Sequence, residues 1–182
     1  IIPPDVRQRV KDHALGMQQG PETERTVFFS DAVIAIAMTL LALDLKLPEV
    51  ASDISDKGFN EVLVELIPAL AAFTLSFVLI GRSWLSHHRH FNAIKAYDGG
   101  LQVRNLTMLF FVAFIPVPTA ALFSTGPNTP WTPAIYAFAL AGLNLSLRWT
   151  WSYAYKKGLT HDWLDATLYK LMLRGADPVI AV

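Results

Sequence analysis

The 182-residue chain reads as an all-α integral membrane protein, a helical bundle with at least four transmembrane spans. Three observations predict it. Hydrophobic residues make up 53% of the chain and charged ones only 16%, with mean hydropathy +0.36, whereas soluble domains carry about 25% charged residues. Four stretches of mostly apolar residues are long enough for a helix to cross a bilayer core of about 30 Å. Lys and Arg collect in alternate connections between those stretches. Fifteen basic and fifteen acidic residues give a net charge of zero, so no basic field argues for nucleic acid. No cysteine is present, which removes disulfides, thiolate metal sites and cysteine nucleophiles.

Residues 1–24 read as a basic cytoplasmic arm, with Pro3, Pro4, Gly16, Gly20 and Pro21 around Arg7, Arg9 and Lys11. Residues 25–182 form the membrane domain. The spans are predicted at 26–47, 62–84, 106–123 and 132–153, and the start of a fifth near 164–182. Between spans one and two lie Glu49, Asp53, Asp56 and Gly58, and the STGPNTP stretch at 124–130 links spans three and four; both are breaker-rich polar connections. Trp131 at one side, and Trp84, Trp149, Trp151 and Tyr153 at the other, read as interfacial belts.

Arg7, Arg9, Lys11 and Arg25 precede span one. Arg82, Arg89, Lys95 and Arg104 lie around the second connection, and Lys156, Lys157, Lys170 and Arg174 follow span four. The first connection has only Lys46 and Lys57, and the third has neither Lys nor Arg. The positive-inside rule puts the N-terminus in the cytoplasm, with residue 156 returned to the same side.

Polar groups within spans need partners or water. Ser30 and Asp31 open span one. Trp84, His87, His88 and His90 close span two, and Asn105 opens span three. All fall on one side of the membrane in this topology, so carboxylate, hydroxyl, indole, imidazole and carboxamide can join three helices in a hydrogen-bonded knot. The simpler alternative is an Asp31 that reaches the headgroups and is solvated. His87, His88 and His90 invite a zinc reading, and His87 and His90, at i and i+3, can share a helix face, but no cysteine helps and a carboxylate third ligand would have to come from another segment, so metal binding is disfavoured. No nucleophile motif, glycine-rich phosphate loop or HExxH occurs, and no catalytic role or cofactor is expected.

In span one, Ile36, Leu40, Leu43 and Leu47 project within roughly 60° of one another, with Thr39 bordering them. Asp31, Ala35 and Ala42 form a separate, small and polar side that suits close helix packing. Periodicity does not separate a pore-lining apolar stripe from a core-facing or lipid-facing one.

Arg25-xxx-Phe29-Ser30-Asp31 followed by AVIAIAMTLLALDLKLP, with SFVLIGRSWLSHHRHF at 76–91 and FFVAFIPVPTAALF at 110–123, resembles in order and spacing the transmembrane protein 175 family of potassium channels. The resemblance covers three of the four spans. It implies a prokaryotic-type single repeat, six spans in full, assembled as a homotetramer in the cell membrane. It implies a channel, not an enzyme, passing potassium among monovalent cations. The pore would be lined by span one without the carbonyl filter of other potassium channels. On this resemblance Ile36, Leu40 and Leu43 form stacked apolar rings, Ile36 being the hydrophobic gate, and Thr39 lies at the selectivity layer. Arg25, Phe29, Ser30, Asp31, Trp84, His87, His88 and Asn105 form the intrasubunit network. The rival reading is a proton- or ion-coupled secondary transporter using Asp31 and the His87/His88/His90 cluster, with Pro68, Pro116 and Pro118 as helix breaks.

Overall fold

The computed structural model describes residues 21–43, 45, 56–124 and 130–173, and all named elements in them are helices. They are α1 Pro21–Leu43, α2 Asp56–Asn92, α3 Gly99–Phe114, α4 Pro116–Ser124, α5 Trp131–Lys156 and α6 Ala166–Leu173. The arm at 1–20, most of the first connection, the core of the STGPNTP stretch and residues 174–182 lie outside the described residues. The helix expected to begin at residue 26 begins at Pro21, inside the arm as drawn from sequence.

Among the described residues, three segments are long and apolar enough to cross a membrane: Glu24–Leu43, Gly58–Asn92 and Gly99–Leu122. The 26 residues of α5 reach about 39 Å at 1.5 Å each, enough for a crossing, but Asn144, Ser146 and Arg148 dilute its apolar character. It packs chiefly along α3 and also touches α2 and α4.

Two predicted spans change shape. α2 runs on past Trp84 to Asn92, so the SHHRH segment is helical and not a connection. Its 37 residues extend about 55 Å, well beyond a bilayer core of about 30 Å. Polar side chains ended the hydropathy signal there, but they did not end the helix. The third span is two helices. α3 starts at Gly99, where the Asp98 side chain caps it by accepting from the Leu101 N–H at 2.7 Å. It breaks at Ile115, ahead of Pro116 and Pro118. Those two residues supply no N–H for the carbonyls one turn back. The chain resumes with the Thr119 N–H on the Ile115 carbonyl at 3.1 Å.

The connection after α2 and the one after α5 meet at one end of the bundle. The amides of Lys95 and Ala96 donate to the Leu159 carbonyl, and the His161 amide donates to Ala93. Lys95 pairs with Asp162, and the ammonium holds that carboxyl below the usual carboxylate range. Gly158, at φ +68°, makes the turn, a backbone region that other residues avoid. At this end Phe91, Tyr97, Leu101 and Trp151 form one apolar core, while Ile34, Leu41, Ile80, Met108, Val112 and Leu143 form another between the helices. Trp151 is 0% exposed and stacks on His90 with ring centroids 4.4 Å apart. It is therefore a core residue, not the interfacial belt residue its position suggested.

Candidate functional site

The face of α1 that packs inside the subunit is Ser30, Ile34, Ala37 and Leu41, all buried. Steps of four, three and four keep them in one stripe. Ala35 and Ala42, expected on the packing side, are exposed. The branched Ile34 and Leu41 fill the space against the neighbouring helices in their place, and small size alone did not select the contact face.

Ser30 is the hub of a buried chain. Its Oγ donates to the Thr26 carbonyl one turn back at 2.7 Å and accepts from Asn105 Nδ2 at 2.8 Å. Asn105 Oδ1 in turn lies 2.9 Å from His87 Nε2. A carboxamide oxygen only accepts, so Nε2 carries the proton. The His87 ring stacks on Phe91 at 4.2 Å. Ser30, Asn105 and His87 are each at most 1% exposed, so three helices are joined through one serine, one asparagine and one histidine.

Asp31 makes a second, separate link: its Oδ1 accepts from Trp84 Nε1 at 2.8 Å, nearer the surface. Of the remaining predicted members, His88 is exposed and its ring lies 5.8 Å from that of Trp84. Phe29 is exposed, and Arg25 sits on the exposed side at the start of α1. Ser30, Asn105 and His87 thus form one hydrogen-bonded chain, and Asp31 with Trp84 a second. The three imidazoles do not share one partner. His87 goes to Asn105 and Phe91, His88 to Trp84 and His90 to Trp151.

Opposite the packed face, Ile36, Leu40 and Leu43 are 58%, 41% and 75% exposed. Thr39 is exposed too, and its hydroxyl donates to the Ile36 carbonyl at 2.8 Å. One helix therefore carries an inner face fixed by buried contacts and an outer apolar face that is largely exposed among the described residues.

Two polar clusters escaped the sequence reading. Ser76 Oγ lies 2.9 Å from both Thr119 Oγ1 and Tyr136 OH, tying α2, α4 and α5 together next to the proline break. The Arg104 guanidinium lies over the rings of Tyr153 and Trp149 at 3.8 and 4.5 Å, and Tyr153 OH donates to Asp98 Oδ2 at 2.8 Å. The Asp98-Gly99-Gly100 sequence was a readable capping signal for the second cluster. Isolated hydroxyls gave no comparable signal for the first.

Long apolar helices joined by buried side-chain hydrogen bonds at two levels define an α-helical membrane protein of the multi-span type. Its first helix has one face buried against the other helices and the other face largely exposed. The chain belongs to the family described as the endosomal/lysosomal potassium channel TMEM175, whose family model matches residues 25–116. It is similar to a potassium channel of Streptomyces collinus, at 33% identity over 144 residues, covering 78% of this chain and 68% of the relative. A potassium channel of Chamaesiphon minutus is also 33% identical, over 73% of this chain and 66% of its own length. The human endosomal/lysosomal proton channel TMEM175 is 26% identical over 59% of this chain, which spans 21% of that protein. The crystal structure of a lysosomal potassium-selective channel TMEM175 homolog from Chamaesiphon minutus superposes with a TM-score of 0.67 at 29% identity, covering 82% of this chain and 80% of that one.

Proposed function

We propose that the protein is a potassium-conducting channel of the cell membrane, built as a homotetramer with α1 of each copy around the pore. One observation carries this reading. Ile36, Leu40 and Leu43 are exposed along α1 while Ser30, Ile34, Ala37 and Leu41 on its other side are buried. The buried face fixes the rotation of α1, so the exposed stripe is aimed and not free to turn. Bacterial relatives that bear the name potassium channel support the choice of ion; the vertebrate relatives are named proton channels, so proton flux belongs in the same assay.

Four Ile36 side chains make the neck. A narrow apolar ring excludes water, and an ion entering it loses hydration. Widening the ring admits water and the ion. Potassium, which sheds its hydration shell at less cost than sodium, passes preferentially, and Thr39 lies one turn along at the next layer. The N-terminus is cytoplasmic, α5 is the fourth span, and the two connections that meet beside Lys95 and Asp162 face the cytoplasm, in line with the Lys and Arg asymmetry. Asp31 and His87 each hold a side-chain partner on another helix, which suits a structural role better than the proton relay of a coupled transporter.

The test is flux through the purified full-length protein in liposomes under potassium, sodium and proton gradients. A channel gives currents that reverse near the potassium equilibrium potential. Slow, saturable flux coupled to a second ion would replace this reading with a transporter.

A further inference from the structure

A cavity of about 350 Å³ opens between α2, α5 and the end of α6, away from α1 and its exposed stripe. Such a volume falls in the range of small-ligand sites, about 300–1,000 Å³. Its lining mixes apolar and basic side chains, with Leu147 and Met172 beside the arginines. Leu79, Leu140 and Leu143 occupy one end, and Arg82, Ser86 and Arg148 lie further toward the end where the two connections meet. No aspartate or glutamate lines it.

The charged side chains that line it, Arg82 and Arg148, are cationic donors, with His90 and Asn144 beside them. Ser83 Oγ donates to the Leu79 carbonyl and Ser86 Oγ to the Arg82 carbonyl, so both hydroxyl protons are already committed. Arg89 also donates to Ser86 Oγ, at 3.2 Å. Arg82 and Arg148 have no carboxylate and no side-chain hydrogen-bond partner among the described residues. Both are exposed on long helices beside apolar surface, so their guanidiniums are accessible to a ligand. Two guanidiniums from different helices thus line one cavity, and each guanidinium offers paired N–H donors of the kind that bind phosphate oxygens.

We propose that this cavity is a phosphate-binding site, Arg82 and Arg148 clamping the anion from α2 and α5. A phosphate reaches it from two sources, the headgroup of an anionic phospholipid or free inorganic phosphate. The leucine end suits the first, since the acyl chains of a bound lipid continue along apolar surface. Basic pockets between membrane helices hold anionic headgroups in this manner. A bound lipid would also bridge α2 to α5 on the side away from α1, tying the outer wall of the subunit to the helix that carries Trp84 and His87.

The experiment is native mass spectrometry and thermal melting of the purified full-length protein with phosphatidylglycerol, with phosphatidylcholine, and with inorganic phosphate, for wild type, for the double variant Arg82→Gln/Arg148→Gln, and for Lys156→Gln as a charge control outside the cavity. Phosphatidylglycerol is expected to be retained and to raise the melting temperature where phosphatidylcholine does not. The double variant should lose about 25-fold in that preference, at about fivefold per arginine. Lys156→Gln should keep it. Stabilisation by inorganic phosphate without lipid preference, abolished by the double variant, supports the site and assigns it to the free anion. If neither ligand stabilises, or if the double variant binds phosphatidylglycerol as wild type does, the proposal is wrong. The melting temperature of the delipidated double variant separates loss of binding from loss of fold: an unchanged value with lost preference supports the site. A lower value together with a retained lipid preference overturns it.

Discussion

Asn105 links two other helices through a single side chain. Its carboxamide serves Ser30 on α1 and His87 on α2 together. Asn105→Leu is near-isosteric and removes both bonds, leaving a buried hydroxyl and a buried imidazole nitrogen without that partner. Hydrogen bonds between membrane helices average about 0.6 kcal/mol with a maximum near 1.7, so the expected loss is about 1–3 kcal/mol, read as a lower melting temperature in detergent. Asp31 is the complementary case. Asp31→Asn keeps an oxygen able to accept from Trp84 and should preserve assembly, whereas Asp31→Ala loses the link that bears on α1 orientation. Equal melting and equal current for Asp31→Ala and wild type would show that this second link has no structural weight. Ser30, Asp31, Trp84, His87 and Asn105 were legible as a group because each is polar beside an apolar span. Their division into two chains was not, since it depends on rotations of α2 and α3 that residue spacing does not specify.

At the scale of the helix, the proline break between α3 and α4 comes with a local remedy. Thr119 Oγ1 donates to the Ile115 carbonyl at 2.8 Å, and the same oxygen meets Ser76, which meets Tyr136. Ser76→Ala therefore costs two contacts and separates α2 from both α4 and α5. Lower thermal stability is expected from it, with a smaller loss for Tyr136→Phe, which removes one. A Tyr136→Phe loss as large as that of Ser76→Ala would contradict the hub. A second constraint is spatial. A Cβ at Gly100 would meet the Tyr153 hydroxyl and ring, so Gly100→Ala must displace the Tyr153–Asp98 bond and should weaken the packing of α3 on α5. Helix existence was readable from apolar runs, but helix ends were not. α2 outlasts its hydropathy by eight residues because Ser86–His90 are polar and still helical. Trp151 looked interfacial because sequence position near a span end does not reveal which face of α5 it occupies. It faces His90 and Tyr169.

For the whole molecule, the contact between the two connections requires that α2 and α5 end on the same side. Cysteines placed at Asn92 and Lys157 in this cysteine-free chain should label from one side of a vesicle and Ser52→Cys from the other; labelling of all three from one side would break the topology. The central claim is that α1 lines a path for ions, and Ile36→Asn tests it most directly, because the two readings of that exposed isoleucine differ in sign. In a pore neck the amide holds water, lowers the barrier and relaxes the need for dehydration. On a lipid-facing or packing surface it buries an amide without a partner, at roughly 1–3 kcal/mol per subunit, and weakens assembly. Potassium and sodium currents should be recorded from liposomes carrying equal amounts of assembled wild-type and Ile36→Asn protein. Larger currents with reduced preference for potassium over sodium are predicted; unchanged or smaller currents from intact assemblies would contradict a pore lined by α1.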